Sequence, residues 1–365
     1  MENKNNNKYP RLAINLDKLN DNLSTLSGAV HGAGCSLMIV TKSFCACPEI
    51  IDFLLQSKKV DYLADSRIQN LSSYTGRGKE TVLLRLPQKD EIEEVVRFAD
   101  ISFNSEIKTI RLLNTEAAAQ KKTHKVVLMI DLGDLREGIY FKNEDEIFRV
   151  AGEIQALPNI KFAGIGTNLT CYGAVIPTRK NLSVLCGIAE KIEAQHNLKL
   201  EIISGGNSSS YYLIGEGGLP PRINNLRLGE SFIRGVESAY CKRIPQTHDD
   251  AVTLECQIIE LKEKPSVPVG DIGVDAFGNK PHFEDRGIIK RAIAACGKQD
   301  TDPDGLFPMD SGIRVLGASS DHLLLDLSGS ARNYRLGDVV PFVLNYSALL
   351  RAFTSRYVRH FILGR

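Results

Sequence analysis

Cys35-Ser-Leu-Met-Ile-Val-Thr-Lys42-Ser-Phe44 is an apolar run of strand length that ends abruptly on one lysine. A continuous apolar run suits a strand covered on both faces, as in a parallel sheet flanked by helices. A lysine at the inner end of such a strand either snorkels into solvent along its methylene stem or takes part in chemistry. A desolvated amine loses basicity and becomes a nucleophile able to form an imine.

The same texture extends outward from this run. Arg11-Leu-Ala-Ile-Asn-Leu16 reads as a short strand, with Asp17 as the cap of a helix to about Leu26. From Cys35 onward, strand patterns over 35–42, 60–66, 81–86, 101–104, 125–133, 160–168, 200–206 and 223–230 alternate with helical patterns such as 90–99, 106–120, 145–157, 179–196 and 208–215. Eight β/α units in about 200 residues predict a closed parallel (β/α)8 TIM-like barrel. A doubly wound open sheet is the competing layout, but no Gly-x-Gly-x-x-Gly follows the first strand. Beyond about Val236 the pattern changes to strands over 252–262, 287–296, 313–316, 322–327 and 339–345, joined by Gly, Pro and Asp turns. No strong helical pattern lies among them, so a C-terminal all-β domain is expected. The expected division is a disordered tail over 1–10, a barrel over 11–235 whose first strand is shared with the β domain, and the β domain over 236–365.

Composition narrows the function. The chain has 365 residues, 43% of them hydrophobic and 24% charged, with a net charge of +1. That balance offers no electrostatic case for nucleic acid or an anionic membrane. No apolar run approaches membrane-spanning length. The polar opening Met1–Pro10 lacks a secretory core, so the eight scattered cysteines read as reduced thiols of a cytoplasmic protein. Neither they nor the seven histidines have metal-ligand spacing, and no metal is expected.

Barrels of this kind build their sites at the C-terminal ends of the strands. Reading only those ends collects Lys42, Asp65, Ser66, Arg85, Asn104, Asp131 with Arg136, Thr167, Asn168, the turn Gly205-Gly-Asn207-Ser208-Ser-Ser210, and Arg227 with Gly229. Paired glycines followed by Asn and three hydroxyls expose N–H and O–H donors to an anion such as a phosphate ester. The same turn could be a well-capped helix start. An amine for an aldehyde, donors for a phosphate and a cation for a ring nitrogen together describe pyridoxal 5′-phosphate.

These motifs resemble the alanine racemase-type (fold type III) pyridoxal phosphate enzymes. Leu12-Ala-Ile-Asn-Leu-Asp-Lys-Leu-Asn-Asp-Asn-Leu23 resembles their opening strand and helix, and the run ending in Lys42 their cofactor-lysine strand. Leu128-Met-Ile-Asp-Leu-Gly-Asp-Leu-Arg136-Glu-Gly138 is similar to the motif whose arginine contacts the substrate carboxylate and the cofactor phenolic oxygen. Gly164-Ile-Gly-Thr-Asn168, Gly206-Asn207-Ser208-Ser209, Leu226-Arg227-Leu-Gly229 and Tyr346 resemble, in order, the strand-six motif, the phosphate-binding turn, the arginine facing the pyridine nitrogen and the phosphate-binding tyrosine. The ornithine/lysine racemase branch is the nearer likeness, carried by Val40-Thr-Lys42-Ser-Phe-Cys-Ala46, Ile203-Ser-Gly-Gly-Asn-Ser-Ser209, Gly297-Lys-Gln-Asp300, Leu316-Gly-Ala-Ser-Ser-Asp-His322 and Leu344-Asn-Tyr-Ser-Ala-Leu-Leu350.

Departures from alanine racemases are as informative. Ala46 stands at the spacing of their tyrosine after the lysine, Asn168 where they have a ring-stacking histidine, and Met129 where a lysine supports the arginine. Lys298 stands in place of their second acid/base, a tyrosine. Ser320, Asp321 and His322 lie in the loop that in the family approaches the cofactor from the other subunit. His322 is the residue type suited to proton transfer near neutral pH. It can equally be a structural histidine flanking a strand.

The resemblance implies racemisation of an amino acid, ornithine or lysine foremost, in a homodimer with shared sites. Lys42 serves one face of the substrate, while Lys298 and His322 with Asp321 and Ser320 are the candidates for the other. Acidic Asp300-Thr-Asp302-Pro-Asp304 could steer a cationic side chain, or be a solvated turn. The competing readings are a fold type III basic amino-acid decarboxylase and a non-catalytic pyridoxal phosphate-binding protein. The decarboxylases carry a Glu-Pro-Gly-Arg motif absent here, and the carriers resemble the barrel alone.

Overall fold

The computed structural model describes residues 8–364. Most of the expected tail, residues 1–7, lies outside them. The chain divides into two units, one formed by the stretch up to Asp17 together with the stretch from Asp250, the other by Lys18–Asp249.

In chain order the elements up to the second unit's end are β1 (Arg11–Asn15), α1 (Leu16–Gly32), β2 (Ser36–Val40), α2 (Pro48–Gln56), β3 (Tyr62–Asp65), α3 (Ile68–Ser72), β4 (Glu80–Leu83), α4 (Ile92–Phe98), β5 (Ile101–Asn104), α5 (Ile107–Ala119), β6 (His124–Asp131), β7 (Ile139–Tyr140), α6 (Glu144–Gln155), β8 (Ile160–Gly166), α7 (Arg179–His196), β9 (Ile202–Ser204), α8 (Tyr212–Gly215), β10 (Asn225–Leu228) and α9 (Glu230–Arg234). Eight of the strands run parallel in the order β5-β4-β3-β2-β10-β9-β8-β6, and pairing of β5 with β6 closes the ring. This is the expected (β/α)8 barrel. Two-residue β7 is an addition, lying parallel to the end of β6.

Its interior is packed solid by Met38, Ala64, Val82, Ile101, Phe103, Val127, Met129, Ala163 and Ile202, drawn from successive strands. That filling is why the strands read as continuous apolar runs. Gly164 shows how tight the wall is: a Cβ there would stand 1.9 Å from the Ile202 carbonyl oxygen. The helices read from local chemistry too. α6 opens on Glu144, Asp145 and Glu146, favourable at the positive end of the helix dipole, and buries Ile147, Val150, Ala151 and Ile154 at helical spacing. α7 begins with a capping box between Thr178 and Asn181. Helix α1 starts at Leu16 and runs on to Gly32, with Asp17 in its first turn rather than outside it.

The barrel unit reaches Asp249 rather than 235 because the stretch after α9 is tied back to it. Glu237, buried, accepts the N–H groups of Ala239, Tyr240 and Lys242. The Asn22 amide on α1 exchanges two hydrogen bonds with the backbone of His248, at 2.9 and 2.7 Å.

The other unit continues with β11 (Val252–Pro265), β12 (Ile288–Ala294), β13 (Leu306–Pro308), β14 (Arg314–Ala318), β15 (Leu323–Asp326), β16 (Val339–Leu344), α10 (Tyr346–Thr354) and β17 (Arg359–Leu363). Its sheet follows β13-β16-β11-β12-β15-β14, with β1 antiparallel to β11 and parallel to β17. The first strand of the chain is thus a strand of the β domain. Val252, Leu254, Cys256 and Ile258 alternate inward along β11 until a bulge at Ile258–Glu260 shifts the register. Helix α10 has no counterpart among the sequence expectations. Asn345 caps it by accepting from the Ala348 N–H at 2.9 Å, and it buries Ala348, Leu349, Ala352 and Phe353. All eight cysteines are free thiols, and no helix among the described residues is long and apolar enough to cross a membrane.

Candidate active site

The C-terminal ends of the barrel strands converge as the fold requires, and Lys42 stands among them. β2 stops at Val40, two residues before the lysine, and Thr41–Phe44 form one turn of 3-10 helix. Cys45 and Ala46 follow in the left-handed region, both at φ +48°. Ala46 N–H reaches back to the Thr41 carbonyl at 3.2 Å and Cys45 N–H to the Lys42 carbonyl at 3.1 Å. Phe44 anchors the turn edge-to-face against Phe232 of α9. The lysine therefore leaves the sheet on a bend, half-buried.

On the far side of the mouth, β9 gives way to Gly205-Gly206-Asn207. Gly206 has φ +116°, and a Cβ on it would stand 2.5 Å from Ser210 Oγ, so only glycine suits the position. Asn207 Oδ1 accepts from the Ser209 N–H at 2.8 Å, while its Nδ2 donates to Asn168 and, at 3.1 Å, to the Leu169 carbonyl. Ser208 Oγ accepts from the Ser231 N–H at 3.1 Å, which leaves its own O–H to donate. The hydroxyls of Ser209 and of Thr167 are buried and have no hydrogen-bond partner among the described residues. Gly229 closes this side, with a virtual Cβ only 3.1 Å from Cβ of Val40.

Between these walls lies Arg227. It is buried, and its guanidinium donates to neutral oxygens: Ser204 Oγ at 2.5 Å, the Thr167 carbonyl at 2.6 Å and Asn168 Oδ1 at 3.5 Å. Burial lowers its pKa to about 10, so it stays charged at neutral pH. The Asn168 carboxamide lies between Arg227 and Arg136, and its oxygen serves one of them at a time: turned over toward Arg136, it accepts from Nη1 at 3.0 Å in place of the Arg227 and Asn207 contacts. Arg136 is forked by both carboxylate oxygens of Glu137. Two guanidiniums and a set of unengaged hydroxyls in one mouth fit a phosphorylated, anionic cofactor.

Asp134 contributes without being a donor to any ligand. Fully buried, it accepts the N–H groups of Thr170, Tyr172 and Val175 at 2.9, 3.0 and 3.1 Å, and so hangs the loop after β8 over the mouth. Reading strand ends alone does not single out Asp134, Glu137 or Ser204. Asp134 and Glu137 lie in the loop after β6, and Ser204 reads as one more core position.

Other strand-end residues turn out to serve the scaffold. Arg85 pairs with Glu91, Asn104 donates to Ser102, and Asp131 caps its own turn at Gly133 and Leu135. Ser66 follows β3, while Asp65 sits at its end in a buried cluster with Thr41.

The remaining candidates lie in the β domain. The Gly297–Asp300 turn and the Ser319–His322 loop are stitched together by Lys298 N–H to Ser319 O at 2.9 Å and Gln299 N–H to Ser320 O at 3.1 Å. Gln299 Nε2 also donates to Asp321 at 2.5 Å. Lys298, Ser320, Asp321 and His322 thus share one loop pair, with Lys298 Nζ 4.0 Å from the centre of the Phe277 ring and 3.9 Å from Asp275. Asp300 points inward, accepting from Gly297 N–H at 3.1 Å and Ser355 Oγ at 2.9 Å, so it is a turn anchor and not a free steering charge. Tyr346 is the first residue of α10.

With this geometry in place, comparison with known proteins identifies the class. Residues 14–233 match the alanine racemase N-terminal domain family, and the chain belongs to that family. It is 51% identical over 355 residues to the ornithine racemase of Acetoanaerobium sticklandii, covering 97% of this chain and 100% of that one. It is 39% identical to the lysine racemase of Thermotoga maritima, over 96% of this chain and 97% of that one. Among solved structures, an alanine racemase from Bartonella henselae with covalently bound pyridoxal phosphate superposes with a TM-score of 0.73 at 16% identity, covering 98% of this chain and all of that one.

Proposed function

We propose that this protein is a pyridoxal phosphate-dependent racemase of a basic amino acid, ornithine before lysine, working as a homodimer. The substrate reading follows the two relatives, which resemble this chain from end to end. The cofactor reading is carried by one observation: Arg227, a buried guanidinium among neutral acceptors, lies in the same mouth as Lys42.

Bound here, pyridoxal phosphate would lend the substrate's α-carbon the electron sink that makes its proton removable. Lys42 Nζ would hold the cofactor covalently and, once released, take up the α-proton on one face. Asn207, Ser208 and Ser209 would hold the phosphate, Ser208 and Ser209 through hydroxyl groups still able to donate. Arg227 would donate toward the ring nitrogen and keep a proton off it, since a guanidinium does not yield its own. That restrains the electron sink and favours return of the proton over loss of the amine. Arg136, oriented by Glu137, would meet the substrate carboxylate, as the family resemblance implies. Gly229 keeps the wall beside Val40 thin. The acid for the opposite face is assigned to Lys298 or His322, within the loop pair that also holds Ser320 and Asp321, and Tyr346 to the phosphate, as the family resemblance implies.

Reduction of the purified, cofactor-loaded protein with labelled borohydride tests the reading. The label should map to the peptide bearing Lys42. A label elsewhere, or none, removes the assignment. Chiral chromatography of a panel of L-amino acids should then give fastest racemisation for ornithine.

A further inference from the structure

We propose that Asp65 is a positioning residue for Lys42, acting through a relay Tyr74–Thr41–Asp65 that locks the lysine-bearing turn. The proposal rests on Lys42 being the cofactor-bearing amine.

Thr41, the residue before the lysine, is fully buried. Its Oγ1 lies 2.5 Å from Asp65 Oδ2, 3.0 Å from Tyr74 Oη and 3.3 Å from the Ala64 carbonyl. A threonine hydroxyl has a single proton, and the short contact to a carboxylate claims it. Tyr74 must then donate to Thr41, so the three groups form a directed chain ending on Asp65. Asp65 is itself fully buried and receives the Arg67 N–H at 2.8 Å and Asn70 Nδ2 at 3.1 Å. No ion pair joins it to a cation among the described residues. Its oxygens are fixed by donors from α3 and its entry turn on one side and grip Thr41 on the other.

Mere packing does not require this arrangement. Three buried polar groups gathered at one strand end contribute less stability than an apolar cluster of the same volume. What they supply is direction. The turn that follows holds Cys45 and Ala46 in the left-handed region, strained for residues with a Cβ. A strained turn relaxes unless it is held. Phe44, next to the strained pair, is held against Phe232, and Thr41 holds the start of the turn. Without the hydroxyl, the lysine backbone is free to drift from the place where its amine meets the cofactor.

The test uses the cofactor-loaded enzyme with T41V, T41S, D65N and Y74F, read by kcat and KM separately, by visible circular dichroism of the bound cofactor, and by thermal unfolding. T41V and D65N should fold and bind cofactor, lose about tenfold to a hundredfold in kcat at nearly unchanged KM, and alter the visible dichroism. T41S, which restores the hydroxyl, should return kcat to within about threefold of the parent. If T41V and D65N change only the unfolding temperature, with kcat and dichroism as in the parent, the proposal is wrong. Should D65N fail to fold, Y74F decides: a parental kcat and dichroism refute the relay, and a partial loss of both supports it. Borohydride labelling of the parent separates the two levels. A label off Lys42 refutes the cofactor assignment, whereas a label on Lys42 with unaffected variants refutes the relay alone.

Discussion

Arg227 Nη1 donates to Ser204 Oγ at 2.5 Å, and that hydroxyl passes its own proton to Asn225 Oδ1 at 2.6 Å. A cation buried in the barrel is thus oriented by a chain of neutral groups, and among the described residues it meets no carboxylate in hydrogen-bonding range. A buried cation whose direct hydrogen-bond partners are all neutral is costly to keep unless a ligand uses it.

Replacement of Arg227 by Glu reverses the charge facing the ring nitrogen. A carboxyl there can share a proton with that nitrogen, which strengthens the electron sink. Side transamination should rise about tenfold or more relative to racemisation, seen as loss of the ~420 nm absorbance band during turnover. An unchanged rate of pyridoxamine phosphate formation rules out this role for the arginine.

Gly164 to Ala places a methyl group 1.9 Å from the Ile202 carbonyl oxygen, inside a pair of hydrogen-bonded strands. Backbone cannot give way as a flexible side chain does. The barrel should lose about 3 kcal/mol or more, measured as a lower denaturant midpoint. A midpoint equal to the parent's would mean that β8 and β9 lie farther apart than described.

His124 begins β6 with its ring buried and Nε2 2.8 Å from Ser102 Oγ. Burial holds its pKa down to about 4, against about 6.5 in an unfolded chain. Between those values the unfolded chain takes up a proton that the folded one refuses. Stability is therefore fully present above about pH 6.5 and falls as acid is added, by about 3 kcal/mol at pH 4. In H124Q this part of the loss should vanish, so urea midpoints between pH 7 and 4 should fall less steeply than in the parent. Equal slopes would show that another group governs the acid limb.

Much of this was legible in one dimension. Met38, Val82, Val127 and Ala163 fill the barrel, and their apolar runs need no context because a strand covered on both faces has no polar side to display. Lys42, Arg227 and Gly206-Asn207-Ser208 were legible for the opposite reason: each is a residue type that the surrounding pattern disfavours. Helix α10 is not legible locally because it is only nine residues long: Ala348, Leu349, Leu350, Arg351 and Ala352 favour helix, but so short a segment is stable only through burying Leu349 and Phe353. The extent of the barrel unit to Asp249 likewise depends on the Asn22–His248 pairing, between residues more than two hundred positions apart.

The amino-acid order by itself determined the fold class, the alternation of elements and the amine at position 42, because periodicity and strand length are local consequences of backbone geometry. Only the tertiary structure decided that Asp134 hangs a loop over the mouth, that Arg227 rests on neutral oxygens, and that Asp65 reaches Thr41 through a buried hydroxyl. Hydrogen bonds between residues distant in the chain depend on distances of tenths of an ångström, which closure of the barrel sets and no stretch of sequence encodes alone.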